Sequence, residues 1–188
     1  MSTPSSEATP ISIPTATLNQ PASSVVITSG SRVRIRAPAH QVFTAILDTA
    51  SYAEWNRWSP SLTFSSSDQS LRVPGSIGIL HCEMGSDRFY DVPVKVLEVT
   101  SENQGQDSYT LKWQGQMLPR WFGMAERIQT VEKLGDNGDE CELRQWESMS
   151  GWGVYLLKWV MRVEAQLKDG NLRYAADLKR WCERGQSS

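Results

Sequence analysis

At 188 residues the chain has room for one domain and a little more, but not for two. Charged residues make up 21% and hydrophobic ones 39%, which excludes both a wholly disordered chain and a membrane-embedded one. A net charge of −2 offers phosphate no general attraction, so nucleic-acid binding would need a local basic patch, and the eight tryptophans are the unusual part of the composition.

Residues 1–24 hold six Ser, four Thr and four Pro with Glu7 as the one charge, too little apolar surface to offset the entropy of ordering. They read as a disordered leader. They lack an apolar h-region, and no Lys or Arg precedes Arg32, so secretory and mitochondrial presequences fit poorly and the cytoplasm is the expected location. Cys82, Cys141 and Cys182 are odd in number and far apart, which suits neither a disulfide framework nor a zinc site.

From Val25 onward, Val25, Ile27, Val33 and Ile35 alternate with Arg32, Arg34 and Arg36, the pattern of a half-buried strand with a solvated basic face. Pro38 opens a short helix carrying Val42, Phe43 and Ile46, and a second helical turn carries Tyr52 and Trp55. Six strands follow, over 62–66, 77–84, 89–99, 108–116, 125–134 and 140–150, separated by turn-rich segments such as Gly85-Ser86-Asp87 and Gly135-Asp136-Asn137-Gly138-Asp139. With the first strand they make a seven-stranded antiparallel meander.

The period then changes. Leu156, Val160, Val163, Leu167, Asn171, Tyr174, Leu178 and Trp181 step by three and four, one face of a helix about thirty residues and roughly 45 Å long. The stripe keeps its phase across Gly170, so one long helix, bent if need be, is preferred to two. Its only available partner is the sheet, and the fold class is α+β.

This order resembles the helix-grip proteins of the START-like (SRPBCC) superfamily. Arg34-Ile35-Arg36-Ala37-Pro38, Val42-Phe43, Asp48, Tyr52 and Trp55-Asn56 resemble the opening of the polyketide cyclase/dehydrase-like branch. Gln145, Glu147, Met149 and Gly151 resemble its last strand, and Asp177-Leu178-Lys179 with Glu183 its usual close. The resemblance covers 25–184 and leaves 185–188 as a tail. It implies a curved sheet wrapped round the long helix, with a cavity between them for a hydrophobic small molecule. Family members include lipid and quinone carriers, hormone receptors and polyketide cyclases, so the fold does not choose the function.

Tyr109, Leu111 and Trp113 share one strand face, and Cys141, Leu143, Gln145, Glu147 and Met149 share another. If the resemblance holds, the second set also faces inward. A Glu147 carboxylate in an apolar chamber would be pushed up by desolvation into the range of a general acid or base. The competing reading pairs it structurally with an arginine such as Arg127. His81 and Tyr109 are further catalytic candidates, though a satisfied histidine is the plainer reading of His81, whose strand is apolar on both faces. The expected binding set is Trp55, Leu111, Trp113, Trp121, Phe122, Leu143, Gln145, Met149 and Val160. The loop from Met117 to Phe122 reads as a lid, as a membrane-touching tip, or as a cap on the sheet.

Two histidines without H-E-x-x-H or C-x-x-C give no metal constellation, and no P-loop, G-x-G-x-x-G or G-x-S-x-G occurs. No cofactor is expected. Two functions remain open: a cofactor-free cyclase, dehydratase or isomerase of secondary metabolism, and a non-catalytic intracellular carrier or sensor for a lipid or quinone. The expected partner is a hydrophobic small molecule, not nucleic acid. The chain is expected to be a monomer or homodimer without stable membrane insertion.

Overall fold

A computed structural model of the chain describes residues 7–83, 88–100, 103, 105–161 and 163–184. The element order is β1 (Thr9–Ile11), β2 (Val25–Ile35), α1 (Ala39–Leu47), α2 (Tyr52–Trp55), β3 (Ser61–Phe64), β4 (Ile77–Glu83), β5 (Phe89–Val99), β6 (Ser108–Gly115), β7 (Met124–Leu134), β8 (Glu140–Ser150), α3 (Trp152–Met161) and α4 (Val163–Arg184). One antiparallel sheet runs β1-β2-β8-β7-β6-β5-β4-β3. Met84 and the turn Gly85-Ser86-Asp87 lie outside the described residues.

The sheet has eight strands where seven are expected, and the added strand comes from the segment expected to be a disordered leader. Thr9–Ile11 pairs with β2, with Pro10 opposite Ser31. Beyond it the chain crosses the outer face of the sheet. There the Trp146 indole donates to Ala16 O, Ser148 Oγ donates to Thr15 O, and the buried Gln20 amide donates to Ser148 O. The composition argument fails because polar partners on the sheet, rather than apolar burial, hold this segment. Since β1 comes first, the two short helices follow the second strand.

The C-terminal helix is described as α3 and α4, and residue 162 between them lies outside the described residues. Gly170 is inside α4 because the chain passes close to Trp58 there: a Cβ would stand 2.2 Å from the indole nitrogen. The apolar stripe is buried in α4, at Val163, Leu167, Asn171, Tyr174 and Leu178, but Leu156 in α3 is exposed.

α4 packs mainly across β2. Apolar burial concentrates in two clusters. The larger gathers Val33, Ile35, Phe43, Tyr109, Leu111, Leu143 and Leu178, and the smaller gathers Ile27, Met149, Val154, Val163 and Leu167. Between them the sheet turns small and polar side chains inward.

Candidate functional site

The strand register sorts the inward side chains into rows across the sheet. Nearest α3, Gly115, Ala125, Met149 and Ile27 stand side by side; next come Trp113, Arg127, Glu147 and Ser29; then Leu111, Gln129, Gln145 and Ser31. Gly115 and Ala125 project almost nothing, so the first row cannot fill the space beneath α3 and α4. A chamber of ≈140 Å³ opens there, with Leu80, Cys82 and Val92 on one side and Leu157, Val163 and Leu167 on the other. A cavity of about 150 Å³ holds one benzene ring.

The chamber wall is apolar apart from Arg127 and Glu147. These two are directly opposite each other on β7 and β8, with Arg127 Nη2 3.3 Å from Glu147 Oε2. Arg127 is only 2% exposed. Its guanidinium lies over the Trp58 ring at 4.6 Å and the Trp113 ring at 5.3 Å, so two indole faces share the cost of burying the cation. Nη2 also donates to Asn171 Oδ1 at 2.7 Å, and Asn171 in turn donates to Ser29 O and Oγ. The Nε donor of Arg127 is left without a hydrogen-bond partner.

Behind this pair, Gln145 donates to Ser31 Oγ and to Asn171 O and accepts from Gln129. This buried amide network ties β2, β7 and β8 to α4 and holds the Arg127 row in place. Cys82 is a wall, not a nucleophile. Burial, reinforced by the nearby Glu147 charge, pushes its thiol up to about 12, so it stays protonated near neutrality. Among the described residues, no group of three His, Cys, Asp or Glu could hold a metal ion.

Of the residues singled out from sequence, Trp113, Glu147 and Met149 line the chamber. His81 does not. Its neighbours Leu80 and Cys82 face in, so the period-2 rule turns His81 out, where Nδ1 meets Asp91 at 2.7 Å and the ring stacks on Phe89. Tyr109 is buried two rows deeper than Trp113, stacked on Phe43 and donating to Asn103 O. Leu111 and Leu143 are core residues at the same end, and Gln145 belongs to the amide network. Trp55 packs on Tyr52 and Tyr174 rather than on the chamber. Trp121 is 71% exposed, Phe122 rests on Trp152, and the side chain of Val160 lies outside what is described. Sequence reading missed Trp58 and the small residues Gly115 and Ala125. The two small residues carried a usable signal, since small inward side chains on adjacent strands leave space.

An eight-stranded antiparallel sheet, a long C-terminal helix and a chamber between them define a known architecture. The human StAR-related lipid transfer protein 5 superposes with a TM-score of 0.65 at 10% identity, over 97% of this chain and 85% of that one. The Zhui aromatase/cyclase of Streptomyces sp. R1128 gives 0.60 at 11% identity, over 84% and 93%. The chain has the START-like helix-grip fold. Norcoclaurine synthase from Thalictrum flavum, solved with dopamine and hydroxybenzaldehyde, shares this fold at a TM-score of 0.61 and 14% identity, over 88% and 91%. Among characterised sequences, oxopyrrolidines biosynthesis cluster protein O of Penicillium oxalicum is 27% identical over 161 residues, covering 75% of this chain and 80% of that protein. No protein-family model matches the chain.

Proposed function

We propose that this protein binds a hydrophobic, ring-containing small molecule of secondary metabolism in the chamber and acts on it without a cofactor, as a cyclase, dehydratase or isomerase. The observation that carries the reading is the single carboxylate–guanidinium pair in an otherwise apolar chamber. In this reading Glu147 takes a proton from a carbon beside a carbonyl, and the positive charge of the neighbouring Arg127 guanidinium stabilises the oxygen on which the negative charge then develops. Return of the same proton to another carbon, or to a departing hydroxyl, completes an isomerisation or a dehydration with no net change in redox state. The kinship with a biosynthesis-cluster protein and the likeness to an aromatase/cyclase support a biosynthetic setting. Trp58 and Trp113 supply rigid aromatic walls for such a guest.

The second reading is a carrier, and a specific observation favours it: Arg127 is already paired with both Glu147 and Asn171. Glu147→Gln separates the two. The molecule recovered with the protein is incubated with wild type and variant, and its mass and retention are followed. Conversion by the wild type and loss of conversion in a variant that still binds support the enzyme. A guest returned unchanged by the wild type supports the carrier.

A further inference from the structure

The outer face of α3 is as apolar as its inner one. Trp152, Tyr155, Leu156 and Trp159 recur at i, i+3, i+4 and i+7 and are 59%, 58%, 54% and 83% exposed, while Val154 and Leu157 take the inner side. Helices apolar all round are normally covered. The 117–122 loop extends the same surface with Met117 at 53% and Trp121 at 71% exposed.

This surface is built rather than loose. Trp152 Nε1 donates to Trp121 O, and Gly153 N donates to Phe122 O. A Cβ on Gly153 would stand 2.1 Å from the Phe122 ring, so only glycine lets the helix sit this close to the loop. Trp121, Phe122 and Trp152 have ring centroids 4.6 to 6.0 Å apart. The loop and helix therefore pack into one aromatic platform, which borders the chamber through Met117, Leu118 and Leu157.

Its own charges are basic: segments 117–122 and 152–161 contain Arg120 and Lys158 and no Asp or Glu, in a chain whose net charge is −2. Lys158 is shared with Glu164 of α4 at 3.1 Å, and Arg120 is exposed. Tryptophan and tyrosine beside basic groups suit the boundary between lipid headgroups and acyl chains, whereas a soluble protein partner requires no such pairing. We propose that α3 and the 117–122 loop dock on an anionic bilayer surface, which sets the chamber's edge against the hydrocarbon. No described helix is long and apolar enough to cross a membrane, so the contact is one of lying on the surface.

The test uses the full chain with vesicles of phosphatidylcholine alone and of phosphatidylcholine with phosphatidylserine, read by co-sedimentation and by quenching of tryptophan emission with brominated lipid. Binding to the anionic vesicles, with quenching, is expected. Trp152→Ser/Trp159→Ser should weaken it at least about tenfold while the circular dichroism spectrum is retained. Arg120→Glu should weaken binding to the anionic vesicles alone. Wild type that ignores both vesicles, or a double variant that binds as wild type does, overturns the proposal. So does a dimer in light scattering that the double variant abolishes, because a second copy would then be what covers the surface.

Discussion

Glu147 and Arg127 show how one register position turns an ordinary strand pair into a site. The two are opposite each other on β7 and β8, on the face that carries Trp113 and Met149. Removing one partner of a buried pair leaves a charge behind, whereas removing both leaves only a change of shape. Arg127→Met should therefore cost about 3 kcal/mol in chemical denaturation, and Arg127→Met/Glu147→Leu should recover most of it. The same residue-scale logic gives an alkaline limit. Burial pushes the thiols of Cys82, Cys141 and Cys182 from 9.0 up to about 12. The unfolded chain releases these protons first, so stability is complete below pH 9 and falls as the pH rises from there toward 12. Urea midpoints from pH 7 to 11 should decline only above about pH 9, and less steeply in a variant with all three cysteines replaced by alanine.

At the scale of elements, α4 is set by what it meets. An exposed Gly in mid-helix costs about 1 kcal/mol relative to Ala, so Gly170→Ala would stabilise a free helix. Here the new methyl meets the rigid Trp58 indole, which is 3% exposed and stacked with Arg127, and the sign reverses. Gly170→Ala should lower the melting temperature and, by displacing Trp58 from the chamber wall, weaken ligand binding. The inward strand faces and the α4 stripe were legible because period and burial agree along them, as at Tyr109, Leu111 and Trp113. His81 was not legible, since its strand is apolar on both sides and only its neighbours' packing reveals its phase. The contacts of the segment after Ile11 were not legible because they are hydrogen bonds to Glu126, Trp146 and Ser148, which composition does not record. α3 continues the helical period but spends its apolar residues on the surface, and periodicity alone does not tell a buried stripe from an exposed one.

For the whole molecule, the helix-grip architecture places a chamber between sheet and helix, and the choice of Gly115 and Ala125 leaves it open. Three of the eight tryptophans, at 121, 152 and 159, lie on the outer platform, while Trp58 and Trp113 form the chamber wall and hold its one cation. The rare residue thus serves both the inside and the edge of the same cavity. The most direct test is native mass spectrometry of the intact chain, wild type beside Ala125→Phe, purified without detergent from its own source. Ala125→Phe fills the open first row. The wild type should carry a noncovalently bound hydrophobic molecule that the folded variant lacks. A wild type with no bound molecule, and no difference between the two in binding an apolar fluorescent probe, would contradict a ligand chamber at this site.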